Sequence, residues 1–197
     1  MKKQAALTAV FFASAFLVSA PESKAQYCNF SPKELPQGKG REHRGPYKNK
    51  AYGYSVVIPT NLVGYDGVNP FYQQGFGIPV GAEPKSYVFV NGEKNSLEFA
   101  RPSDAASQLL KYLDKDGTKV ESSKITESQL GPLKAALFVA TYSCPGSTDR
   151  YTTASIVAIS ADKSNLYELT LYARSDRFDQ DRVVLDALAK SWKRLEA

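Results

Sequence analysis

LKAALFVATYSCPGSTDRYTTASIVAIS, residues 133–160, decides the fold of this chain. It holds two runs that read as strands, 133–144 and 150–160, and the Pro145-Gly146 pair between them supplies a turn. Two strands joined by a short turn must run antiparallel. A third run, NLYELTLYAR (165–174), follows after the turn residues Asp162, Lys163, Ser164 and Asn165. The expectation is an antiparallel meander over the second half of the chain.

Upstream, YGYSVVIP (52–59) places Tyr54, Val56 and Ile58 on one face and reads as a strand ended by Pro59. SYVFVNGEKNSLEFA (86–100) reads as strand, turn and strand, with Asn91-Gly92 as the turn residues. SDAASQLLKYLDKDG (103–117) reads as a helix with Ser103 as its N-cap, a stripe of Ala106, Leu109, Leu110 and Leu113, and Gly117 at its end. TKVESSKITES is an edge-strand candidate. SDRFDQDRVVLDALAKSWKRL (175–195) places Phe178, Asp181, Leu185, Leu188 and Trp192 on one helical face, with acids at its start and bases at its end as the helix dipole prefers.

The fold class that follows is α+β: a mainly antiparallel sheet with two main helices packed on it, an α/β sandwich. A first strand like YGYSVVIP after a polar arm, a central antiparallel sheet and a final amphipathic helix ending ALAKSWK resemble the Mog1/PsbP-like α/β sandwich group over residues 51–195. That resemblance implies a non-enzymatic binding or assembly protein and transfers no ligand residue.

The N-terminus carries Lys2 and Lys3, and then an apolar or small run over residues 5–18, shorter than the roughly 20 residues a membrane-spanning helix needs. This is the pattern of a secretory signal peptide over 1–25, with cleavage after Ser23-Lys24-Ala25. Val18-Ser19-Ala20 is disfavoured by the Pro21 that follows. The expected destination is the periplasm or the exterior. Residues 26–50 carry six bases and two acids, whereas residues 51–197 are close to neutral. The arm over 26–50 is broken by Pro36, Gly38, Gly40, Gly45 and Pro46 and reads as a solvated basic tether ahead of a single domain over 51–197. Zinc spacing and nucleic-acid motifs are missing from the sequence, so no nucleic-acid partner is expected. Cys28 and Cys144 are the two cysteines, and an even count in an exported chain suggests one disulfide.

The sequence shows no G-x-S-x-G, H-E-x-x-H or C-x-x-C. Its one histidine, His43, falls in the arm, where it would make a poor fixed base. Aligning Gly117 with the invariant glycine of a calcium loop puts Tyr112 and Ser123 at ligand positions, so that reading fails. No cofactor or metal is expected. Asp176, Asp179 and Asp181 form an acidic group that a helix start already explains. FYQQGFGIPVG (71–81) has only G-x-G and no following helix, which excludes a dinucleotide loop. Its aromatic residues leave two readings. Tyr65, Phe71, Tyr72 and Phe76 form a recognition surface for a protein of the envelope or exterior; or Phe76 and Ile78 plug the core from a short strand. The function expected is an exported interaction domain such as a periplasmic immunity or assembly factor. The alternatives are a small secreted hydrolase with a carboxylate-based site and an anionic-polymer binder that uses the arm.

Overall fold

The structure, a computed structural model, describes residues 40–66, 74–81, 86–115 and 118–195. In chain order the elements are β1 (Glu42–His43), β2 (Pro46–Asn49), β3 (Tyr54–Val57), β4 (Gly64–Tyr65), β5 (Gly75–Val80), β6 (Ser86–Lys94), α1 (Pro102–Lys115), β7 (Lys119–Leu130), β8 (Leu133–Ser143), β9 (Arg150–Ile159), β10 (Asn165–Arg174), α2 (Phe178–Ser191) and β11 (Lys193–Arg194). Eight strands form one antiparallel sheet in the order β1-β4-β5-β6-β10-β9-β8-β7, and three form a small sheet in the order β11-β3-β2. The meander predicted from residues 133–174 is the centre and one flank of the large sheet. β7 is its outer edge, mostly exposed and carrying Lys119, Glu121, Lys124 and Glu127, the charged dressing that discourages edge-to-edge pairing.

Strand alternation assigns each residue of the large sheet to one of two cores. One face presents Phe76, Ile78, Val88, Val90, Ile156, Leu169 and Leu171 to α2, Trp192 and the small sheet. Tyr54, Val56 and Ile58 come up from β3 to meet it, as their spacing predicts. Leu185 and Leu188 of α2 are fully buried there, each contributing roughly 1.5–3 kcal/mol. The opposite face presents Ala136, Phe138, Ala140, Tyr142 and Val157 to Ala105, Ala106 and Leu113 of α1. α1 packs mainly over β7, β8 and β9.

Four local readings change. Asn91-Gly92 is no turn: β6 runs straight through both, and Gly92 pairs with Tyr167 on β10. The glycine is there for close approach, because a Cβ would come within 2.9 Å of the Tyr52 and Tyr54 side chains. α2 stops at Ser191, and Trp192 takes an extended conformation (φ −64, ψ 133) that turns its indole into the core. Lys193 and Arg194 then pair with Ser55 and Tyr54 as strand β11. The basic arm is also shorter than expected, since β1 and β2 belong to the folded body: Tyr47 pairs with Val56, and His43 pairs with Gly64. α1 begins at Pro102, one residue ahead of the predicted Ser103 cap, and a side-chain pair between Arg101 and Asp104 fastens its first turn. Gly117 lies outside the described residues.

Candidate functional site

The register of β10 against β6 and β9 gathers polar groups on the α1 side of the large sheet. Glu168 sits opposite Asn91, and Glu93 is its diagonal neighbour on the same face. On the other flank Thr170 sits opposite Ser155. The Thr170 hydroxyl donates to Glu168 Oε1 at 2.5 Å and lies 2.7 Å from Ser155 Oγ. Thr170 has one proton and gives it to the carboxylate, so Ser155 donates to Thr170. The result is a short relay of hydroxyls ending on a carboxyl group.

Electrostatics follow from depth. Burial pushes the Glu168 carboxyl up; the Thr170 hydrogen bond opposes this, and the Glu93 charge adds to it. Burial also pushes Glu93 up. Asn91 Oδ1 is buried without a hydrogen-bond partner. An orphaned acceptor of this kind costs about 1–3 kcal/mol. A narrow gap, no larger than a water molecule needs, lies between Leu109 and Leu113 of α1 and Phe138, Thr153, Ser155, Glu168 and Tyr172 of the sheet; Asn91 and Glu93 do not line it. The corner therefore presents Asn91 Oδ1 and the Glu93 and Glu168 carboxyl groups as acceptors. Chemically it suits an ammonium, a guanidinium or another donor-rich group. Among the described residues no group of three or more His, Cys, Asp or Glu is placed to hold a metal ion.

The loop between β4 and β5 leaves and returns at this same end of the sheet. Its return is pinned: the Gln74 carbonyl accepts hydrogen bonds from Asn49 Nδ2 at 2.7 Å, Tyr54 Oη at 3.1 Å and the Gly92 N–H at 3.3 Å. Gln74 is thereby held beside Asn91. Phe71 and Tyr72, the centre of the expected recognition surface, lie outside the described residues. Tyr65 is half-buried on β4 and packs toward Tyr87 and Phe89. Phe76 is 0% exposed, its ring 4.6 Å from that of Tyr47. It is a core residue and cannot be a surface anchor, because β5 alternation turns it toward α2. Ile78, also fully buried, accompanies it.

His43 is likewise not where the sequence put it. Strand β1 fixes the ring, Asp66 Oδ2 sits 2.8 Å from its Nε2, and Tyr47 packs edge-on at 4.9 Å. Asp66 also accepts the Arg41 N–H through Oδ1. The three aspartates at the start of α2 do not converge. Asp176 pairs outward with Arg174, Asp179 is exposed, and Asp181 is buried, accepting from Ser86 Oγ at 2.5 Å and pairing with Arg177. Cys144 is 8% exposed just beyond β8; Cys28 lies outside the described residues. Sequence reasoning missed Glu168, Glu93 and Asn91. The signal for the first was a carboxylate in the middle of an apolar strand run, and the supposed turn hid the other two.

No protein family and no curated protein matches this sequence. Solved structures do match in shape. The Ran-binding protein Mog1p of Saccharomyces cerevisiae is similar over 80% of this chain and 96% of its own, at 7% identity and a TM-score of 0.51. LpqN, described as involved in cell envelope biogenesis of Mycobacterium tuberculosis, is similar over 79% and 91%, at 13% identity and a TM-score of 0.50. The cyanobacterial PsbP (CyanoP) of Synechocystis is similar over 81% and 95%, at 14% identity and a TM-score of 0.49. The chain has the α/β sandwich fold of Mog1, and the resemblance to the Mog1/PsbP-like group holds at that level. No helix among the described residues is long and apolar enough to cross a membrane.

Proposed function

We propose that this chain is an exported, non-enzymatic interaction domain, a periplasmic immunity or assembly factor in type, whose acceptor-rich corner takes a cationic side chain of a partner protein. The observation that carries the reading is the buried, unpaired Asn91 Oδ1 beside two buried-side carboxyl groups. A lysine or arginine of a partner would satisfy all three acceptors at once. The leader over residues 1–25 supports export. Two proteins of similar fold are Ran-binding and involved in cell envelope biogenesis, respectively.

The test is capture of a partner from native envelope extract by the wild-type chain and by a Glu93→Gln/Glu168→Gln double mutant. Wild-type capture that the double mutant loses, although its melting temperature does not fall, is the expected result. Equal capture by both removes the corner from the account. A second reading, a small secreted hydrolase, is favoured by one observation: two carboxyls raised by burial share a face on neighbouring strands. Turnover of chromogenic glycosides or esters by the purified chain, lost in Glu168→Gln, would select it.

A further inference from the structure

The small sheet brings together bases from the two ends of the folded body. Tyr54 and Val56 on β3 are buried, so the alternating Ser55 and Val57 point outward, Val57 at 49% exposure. Ser55 pairs with Lys48 on β2 and with Lys193 on β11. Residues directly opposite one another share a face. The outer face therefore carries Lys48, Ser55 and Lys193 in one row, with both lysines exposed. Pro46 and Val57 make the next row. The Val57 N–H donates to Ser191 Oγ at 3.0 Å, which sets the last turn of α2 and its exposed Lys190 beside that row. Lys50 is exposed in the turn between β2 and β3. Arg44 precedes β2, and Arg194 follows Lys193.

The charge of this layer is one-sided. Residues 44–58 and 190–195 hold six bases and no acid, whereas residues 59–189 hold 13 bases and 16 acids. Lys48, Lys50, Lys190 and Lys193 have no ion-pair partner among the described residues. Arg44 reaches Glu42 at 3.6 Å, with both side chains exposed. Asp186, one helical turn before Lys190, pairs with Arg182 instead. The inner face of the small sheet packs on the α2 side of the large sheet, so its basic outer face looks away from that sheet. The acceptor corner of Asn91, Glu93 and Glu168 is on the other side, with α1.

We infer that the outer face of the small sheet docks the chain on an anionic phospholipid surface. Charge complementarity names the class of partner, and the shape of the face selects within it. Lys48 and Lys193 stand about 10 Å apart, two strand spacings, on an open face. That spacing suits many headgroup phosphates spread over a plane and leaves no pocket for one small anion. Four of the six bases are lysines, compact cations on flexible stems, which follow phosphates that move laterally. Pro46 and Val57 set an apolar spot among these cations, fit to enter the boundary between headgroups and acyl chains. A single-stranded nucleic acid would need aromatic rings to stack on its bases. Tyr47, Tyr52 and Tyr54 pack on the core instead. Docked in this way, the chain turns its α1 side and the acceptor corner away from the membrane and toward a partner; only this last point rests on the binding reading of the corner.

The experiment is sedimentation of the full exported chain with vesicles of phosphatidylcholine and phosphatidylglycerol in equal parts, and with vesicles of phosphatidylcholine alone. Binding to the first and not to the second is expected. It should be lost between about 0.1 M and about 1 M salt, as the screening length shrinks from about 10 Å to about 3 Å. Lys190→Gln/Lys193→Gln should weaken binding about 25-fold, about fivefold for each base near the surface. These two lysines are far in sequence from the bases of residues 26–50, so the pair tests the folded face and not the N-terminal arm. Lys111→Gln/Lys124→Gln takes the same charge from exposed positions on α1 and β7. Lying beyond the screening length from the docked face, that pair should weaken binding less than about twofold. Equal losses in the two variants would reduce the attraction to net charge and overturn the proposal. Undiminished binding by Lys190→Gln/Lys193→Gln would overturn it too, as would wild-type protein that ignores the anionic vesicles. A DNA duplex that binds the chain more tightly than the vesicles do at the same salt would replace the membrane with a nucleic-acid partner. All four substituted side chains are exposed, and unchanged Trp192 emission verifies the fold of each variant. No partner protein enters the assay, so its outcome is separate from that of the capture experiment.

Discussion

Replacing Phe76 by alanine separates the core role of this ring from a recognition role. The side chain is fully buried between Tyr47 and the strand β4, where the Gly64 α-carbon approaches so closely that a Cβ would lie 2.8 Å from the ring. With backbone on one side and an aromatic on the other, the site cannot collapse to fill the space. The expected loss is therefore the usual one for deleting a buried phenylalanine, about 3–5 kcal/mol. In urea, with a slope of about 2 kcal/mol per molar, the midpoint falls by about 1.5–2.5 M. The melting temperature falls by roughly 6–20 °C for a domain of this size. Trp192 is the only tryptophan and is buried between Tyr54 and Tyr167, so its fluorescence reports the transition directly. A double-mutant cycle with Tyr47→Leu should recover a coupling of about 0.5–1.5 kcal/mol for the ring pair. A loss below about 1 kcal/mol would show that Phe76 can leave its site without a cavity, and the assignment of β5's inward face would fail with it.

Glu168→Gln should raise stability at pH 7–8, because a carboxyl raised by burial favours the folded state only while protonated. That contribution is complete below about pH 4.5 and is lost as pH climbs through the folded value, so the gain in melting temperature should vanish at pH 4. Asp181→Ala removes one member of a buried pair, taking the Asp181 salt bridge from Arg177 and the carboxylate acceptor from Ser86 Oγ. A loss of about 3 kcal/mol by urea titration is expected, at the low end for such pairs because Arg177 keeps 19% side-chain exposure. Gly131→Ala forces a side chain into φ +55 and to within 2.8 Å of the Trp192 ring. At least about 1–2 kcal/mol should be lost, with a shift in Trp192 emission.

Residues 133–174 were readable because local and global preferences agree there. Alternation puts Phe138, Ala140 and Tyr142 on one face, and turn residues fall between the runs. Element order was enough for the sandwich. The misreadings share a physical origin: a residue type with two uses. Asn91-Gly92 is a good turn pair in isolation, but tertiary packing used the glycine for the Tyr52 and Tyr54 side chains instead. Trp192 fits the helical stripe by spacing, yet it reaches the core by leaving the helix. Charge and glycine content made residues 41–50 look solvated, while Tyr47 and His43 were already committed to the fold. The corner was illegible for a different reason. Asn91, Glu93 and Glu168 meet only through the β6–β10 register, which joins segments more than 70 residues apart.

The small sheet has a consequence for the order of events during synthesis. Strand β3 lies near the start of the folded body, and its partner β11 follows about 140 residues later. At 5–20 residues per second a ribosome takes about 7–28 s to cover that interval. Until then Tyr54, Val56 and Ile58 have neither α2 nor Trp192 to close over them, while the face of the large sheet that they share is already being laid down. A nascent chain of this architecture therefore carries a broad apolar surface for many seconds, open to any holding chaperone. It buries that surface in one step when its last helix and strand arrive.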